Sequence, residues 1–176
     1  MQVVDWKIII EEHGPAVWQT AYRLLGNDAD TADCYQETFV CALKLSRRQR
    51  IRNFPALLVR LATTRAIDQL RRKFRRERFS NNSHNPPDGS DNNHDPAQYI
   101  QQQELADRLK TALVQLPPQE AQVFCLRYLN DMSYRQIANE LSIKTSATGV
   151  ILHRARTKLR QFFEVSSNEH KSEVLL

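Results

Sequence analysis

Positive charge at helical spacing is the chemistry most visible in this chain. The run FPALLVRLATTRAIDQLRRKFRR, from Phe54 to about Arg76, reads as one long helix. Its apolar stripe changes sides: Phe54, Leu57, Leu58 and Leu61 cluster first, and Ile67, Leu70 and Phe74 lie on roughly the opposite face. Facing away from that second cluster stand Arg65, Arg72 and Arg76, with Asp68 one turn before Arg72 and spaced to pair with it. Arg71 and Arg75 add charge to the same end, and Ser46–Asn53 (SRRQRIRN) is a basic loop just upstream. A charge run is usually a solvated helix face. This one is dense, backed by an apolar stripe and joined to a basic loop, so it reads as a nucleic-acid surface on which arginines neutralise phosphates.

Other chemistries find little support. Cys34, Cys41 and Cys125 form no CxxC or Cys/His ligand cluster and read as small packing residues in a reducing compartment. His84 and His94 lie near Asp88, Asp91 and Asp95, but the spacing fits no structural zinc pattern. No carboxylate, Cys or His set suits a catalytic metal, so neither a cofactor nor enzymatic activity is expected. No apolar run approaches a membrane span and no signal-peptide pattern opens the chain, which reads as soluble and cytoplasmic.

The elements that must position these residues are helices. Only four glycines occur among 176 residues, and helix formers abound, so an all-α chain is expected. Val3–His13 reads as a short helix stopped at Gly14-Pro15, and Ala16–Leu25 as another. Gly26-Asn27 is a stop and restart. Asp28–Leu45 follows, with Asp30, Asp33 and Glu37 as an acidic ridge. The net charge of +5 is unevenly spread, acidic in the first forty residues and basic from Lys44 to Arg78. Such asymmetry suggests a polyanion on one side and a protein partner on the other.

The stretch from Leu116 to Leu159 reads as three helices with their punctuation. Leu116-Pro117-Pro118 opens the first. Ser133 caps the second, with Gln136 completing a capping box. After the turn Ser142–Thr145 a third starts near Ser146. Thr148, Ile151, Leu152, Ala155, Leu159 and Phe162 share one face of it, while Ser146, Val150, His153 and Thr157 point the other way. Helix, short turn, helix is the geometry that lays a second helix in a major groove, and equally that of an ordinary helical hairpin.

The run LPPQEAQVFCLRYLNDMSYRQIANEL with LHRARTKLRQFF resembles the promoter-contacting C-terminal domain of bacterial RNA polymerase sigma factors, in the two-domain extracytoplasmic-function (ECF) type. TADCYQETFVCAL resembles the sigma helix that docks on the clamp helices of the polymerase's largest subunit. That likeness implies polymerase contact at Asp33, Gln36 and Glu37. The Phe54–Arg76 segment is similar to the element that recognises and melts the minus-ten sequence. Ala56, Leu58, Ala62, Ile67, Asp68, Leu70, Arg71 and Arg72 fit, while Leu57 replaces a usual tryptophan and Thr64 a usual asparagine. The likeness assigns minus-ten binding to Arg65, Asp68, Arg71, Arg72, Arg75 and Arg76.

In the third C-terminal helix Gly149 and Val150 stand where many relatives carry Lys or Arg. Glycine inside a helix costs about 1 kcal/mol relative to alanine. Valine can touch a thymine methyl but makes no bidentate contact to guanine. Direct readout is expected from Lys144, Ser146, Thr148 or His153, and phosphate contact from Arg135, Arg154, Arg156 and Lys158, with weak minus-thirty-five specificity.

The expected architecture is two small helical domains joined by a flexible linker, the second a helix-turn-helix domain of winged-helix-like or homeodomain-like type. The boundaries expected are 1–78, a linker 79–97, 98–165 and a disordered tail 166–176. Glu77–Pro96 has hardly an aliphatic side chain and cannot bury a core. A coil of this length averages roughly 25 Å end to end and reaches about 60 Å extended. The implied partners are core RNA polymerase (clamp helices and flap), promoter DNA and an anti-sigma protein, without membrane insertion. A stand-alone helix-turn-helix regulator is the alternative; a nuclease is disfavoured for want of metal ligands.

Overall fold

The computed structural model describes residues 4–79 and 96–173. Among these residues there are seven helices and no strand: α1 (Trp6–Leu25), α2 (Asp28–Ser46), α3 (Phe54–Phe79), α4 (Pro96–Gln115), α5 (Pro118–Tyr128), α6 (Tyr134–Leu141) and α7 (Thr145–Glu173). The all-α architecture expected from composition is the observed one.

Two expectations are corrected. Gly14-Pro15 does not split the first helix, since α1 runs through Pro15 without a break. Proline inside a helix forfeits one ladder bond, and packing holds the two halves in line. A Cβ at Gly14 would stand 2.6 Å from the Tyr35 hydroxyl, so the glycine lets α2 press against α1. At the other end, α7 continues past residue 165 to Glu173, through a stretch with neither Gly nor Pro to stop it. Residues 174–176 lie outside the described residues, as do 80–95 of the expected linker with His84, His94, Asp88, Asp91 and Asp95.

The caps agree with the sequence. Asp5 accepts from the Lys7 and Ile8 amides. Gly26 takes the left-handed conformation at φ 73° and donates to the Tyr22 carbonyl. Asn27 Oδ1 then receives the Asp30 amide at 2.8 Å, so one helix ends and the next begins within two residues. Ser133 and Gln136 exchange both capping-box bonds, at 2.8 and 3.2 Å.

Three apolar clusters hold the helices. Val17, Phe39, Ala42, Leu57, Leu58, Leu61 and Ala62 bind α1, α2 and α3 together. Val123, Leu126, Met132, Ile137 and Leu152 join α5, α6 and α7, with Ala56 of α3 in the same cluster. The remaining cluster crosses between the halves: Ala66, Ile67 and Leu70 of α3 meet Leu113 and Leu116 from the α4 end and Cys125 of α5. The change of side in the α3 stripe is thereby explained. Its first face serves the N-terminal helices, and its second face packs against both the C-terminal helices and Ala21, Leu24, Leu25 and Cys34 of α1 and α2.

Candidate nucleic-acid and polymerase interface

On α2, the side turned to α3 is closed and the opposite side is open. Thr31, Cys34 and Thr38 are buried. The Cys34 thiol points at the Ala62 carbonyl (3.6 Å), and burial pushes it up to about 11. Cys125 is pushed up to about 12 by burial. Both thiols therefore stay protonated and are poor nucleophiles or ligands. Asp33, Gln36 and Glu37 are all exposed, with Asp33 and Glu37 on the edge that looks toward the basic end of α3.

Across a groove of about 530 Å³ the α2 acids face the basic end of α3: Asp30, Asp33 and Glu37 form one wall, Arg72, Lys73, Arg75 and Arg76 the other. Glu37 lies 3.9 Å from Arg65, whose guanidinium also bonds the Cys41 side chain, and this contact more than the Glu37 charge holds it firmly protonated. An ion pair this open contributes little to stability. Asp33 and Glu37, read as polymerase-contacting, thus share one groove with Arg72, Arg75 and Arg76, read as DNA-contacting.

Three placements on α3 differ from expectation. Arg72 donates to the Asp68 backbone carbonyl (3.4 Å) rather than to its carboxylate. The Asp68 side chain points into solvent. Arg71 donates to the Leu116 carbonyl at 2.8 Å, across the seam between the halves. Thr64, at the position of the usual asparagine, receives Gln122 Nε2 at 2.6 Å and donates to the Arg60 carbonyl. Leu57, at the position of the usual tryptophan, is buried in the N-terminal core. Arg72, Arg75 and Arg76 remain exposed.

In the C-terminal half, α6 meets α7 through a tight turn in which Ser142 adopts φ 54°. Ser146, Val150, His153, Arg154, Arg156 and Lys158 are exposed along α7, as are Arg135 on α6 and Lys144 in the turn. Thr148 is the correction: it is 0 % exposed, so its side chain cannot reach a base. It lies one turn before the buried Leu152 and two before Ala155, and helical periodicity carries it into the core. Lys158 bonds the nearly buried Glu120 at 2.9 Å, and so joins α7 to α5 as well as facing solvent.

Sequence reading missed a polar seam between the halves. Asn130 accepts from the Thr20 hydroxyl (2.7 Å) and donates to Thr63 Oγ1 and the Cys125 carbonyl, each at 3.3 Å. Arg23 donates to the Leu129 carbonyl, and Arg60 pairs with Glu140 at 3.4 Å. Thr20 and Asn130 are 110 positions apart. No local pattern signals such a pair.

Residues 9–76 match the family model for sigma-70 region 2, and residues 106–159 match that for sigma-70, region 4. The chain is 29% identical over 167 residues to the ECF RNA polymerase sigma factor SigE of Mycolicibacterium smegmatis, covering 94% of this chain and 64% of that protein. The chain belongs to the ECF sigma factors. This sigma factor is also 26% identical over 164 residues to SigW of Bacillus subtilis, covering 87% and 86% of the two chains. Its fold is similar to the sigma factor RpoE of Bartonella quintana, solved with the anti-sigma factor NepR (TM-score 0.53, 21% identity, 92% and 98% covered). It is similar also to CnrH, solved with the cytosolic domain of CnrY (TM-score 0.57, 23% identity, 90% and 87% covered). No helix among the described residues is long and apolar enough to cross a membrane.

Proposed function

We propose that this chain directs core RNA polymerase to promoters and begins strand opening, leaving nucleotide chemistry to the polymerase. The observation that carries this is the pairing of two family regions in one chain, each with most of its expected contact residues exposed; Thr148 is buried, and Arg65 and Arg71 are half-buried. Asp33, Gln36 and Glu37 stand clear on α2 as the polymerase-docking face. Arg72, Arg75 and Arg76, with Arg65 and Asp68 alongside, offer the minus-ten surface, and Arg71 joins them when the seam parts. Lys144, Ser146, Val150, His153 and Arg154 offer the minus-thirty-five surface, flanked by Arg135, Arg156 and Lys158. Residues 1–78 and 98–165 are read as the two working units, acting in the cytoplasm where promoters and polymerase meet.

The packed arrangement is a resting one on this reading. A compact chain of 176 residues is about 40 Å across. Minus-ten and minus-thirty-five elements lie about 25 base pairs apart, or roughly 85 Å at 3.4 Å per step. One closed body cannot touch both. The α3 seam must part, and the connector of roughly 60 Å reach then permits the span. Both structural neighbours were solved with a protein partner, RpoE with the anti-sigma factor NepR and CnrH with the cytosolic domain of CnrY. That supports an anti-sigma protein as a partner that meets the apolar surface the seam would expose.

Incubation with bacterial core enzyme, followed by transcription of genomic fragments, tests the proposal. Co-elution with core and new, discrete start sites are expected. DNA binding at one site without association with core would support the stand-alone regulator instead.

A further inference from the structure

Glycine needs a reason inside a helix, and two of the described glycines have one. Gly14 makes room for the Tyr35 hydroxyl, and Gly26 holds a positive φ. Gly149 has neither. It sits in the second turn of α7, and a Cβ there would meet only the Tyr134 ring, at 3.6 Å, which is ordinary contact. The fold would accept alanine, and helix propensity would favour it. The missing side chain leaves a vacancy on the outer face of α7.

The surroundings of that vacancy are specific. Along α7 it lies between Ser146 and His153, both exposed, with the Val150 methyls (51% exposed) on its other flank. Tyr134, 41% exposed, forms the wall on the α6 side, and the Arg127 guanidinium lies 5.8 Å from its ring centroid. The result is a small apolar notch in a basic face, without a bidentate donor at its floor. Of the groups that a major groove presents, the thymine C5-methyl is the apolar one. A helix lacking a Cβ can also approach base edges more closely than one carrying a side chain.

We propose that Gly149, Val150 and Tyr134 form a methyl-sized notch that seats the C5-methyl of a thymine in the upstream promoter element. This rests on the promoter-binding reading above. Gly149 and Val150 thereby become specificity-determining positions, reading by shape where a charged side chain would read by hydrogen bond.

The test uses the holoenzyme, this chain bound to core, on a promoter fragment recovered by transcription of genomic DNA. Each thymine of the upstream element, on both strands, is replaced singly by deoxyuridine, which removes only the methyl. Replacement at one thymine should weaken binding by about three- to tenfold, the scale of one buried methyl. Gly149→Ala should melt at the same or a higher temperature, yet bind the promoter more weakly and lose the thymine preference. Val150→Ala, which adds no bulk, should also reduce that preference. The notch is overturned if the wild type is indifferent to deoxyuridine throughout the element, or if the element holds no thymine. It is overturned also if both variants keep the full preference. A holoenzyme that selects no promoter removes the reading beneath it, a result distinct from a selected promoter without methyl discrimination.

Discussion

Arg72 and Arg76 stand exposed at the end of α3 with no acidic side chain within ion-pair distance among the described residues. Their charge is free for phosphate. Arg72→Ala with Arg76→Ala should weaken promoter-complex formation and lower the slope of log affinity against log salt by about two, read by titration at several salt concentrations. Unchanged transcription and an unchanged slope would remove this face from the DNA surface. Asp33→Ala with Glu37→Ala should instead weaken association with core enzyme while the helical circular dichroism spectrum is kept, because both carboxylates are exposed. A loss of helicity would mean that they act through the fold. Thr148 belongs to the core rather than the groove. Thr148→Val should leave promoter choice unaltered.

At the scale of the element, local sequence accounts for most of what is seen. Ser133→Ala removes one half of the capping box, and a loss of about 1 kcal/mol in a urea melt is expected. α6 has only eight residues and depends on that cap more than a longer helix would. The caps at Gly26, Asn27 and Ser133 were legible because they rest on contacts within four residues. The split at Gly14-Pro15 was misread for the complementary reason. Whether a proline ends a helix depends on what the two halves pack against, and Tyr35 of α2 is not a local neighbour.

For the whole molecule, the two-sided α3 is the decisive piece. Its N-terminal face completes one core, and Ala66, Ile67 and Leu70 complete another with α4 and α5. Asn130 ties the seam to both α1 and α3. Asn130→Ala leaves the Thr63 hydroxyl without that donor and should cost about 1–3 kcal/mol of stability. In small-angle scattering the free protein should show a larger radius of gyration as the seam loosens. An unchanged radius and melt would make the seam a matter of apolar packing alone. Such loosening should leave each half helical.

Read alone, the sequence determined the all-α class, nearly every helix and its caps, the family, and the exposed acidic face of α2, because each depends on spacing within a few turns. It also carried the stripe that changes sides on α3, though not its meaning. Only the tertiary structure decided that Arg71 and Thr64 are engaged across the seam and that Gly149 has room for a side chain it does not carry. Those depend on residues far apart in the chain meeting in space. Periodicity reports which face a side chain occupies, while the opposing surface decides whether that face is open or closed.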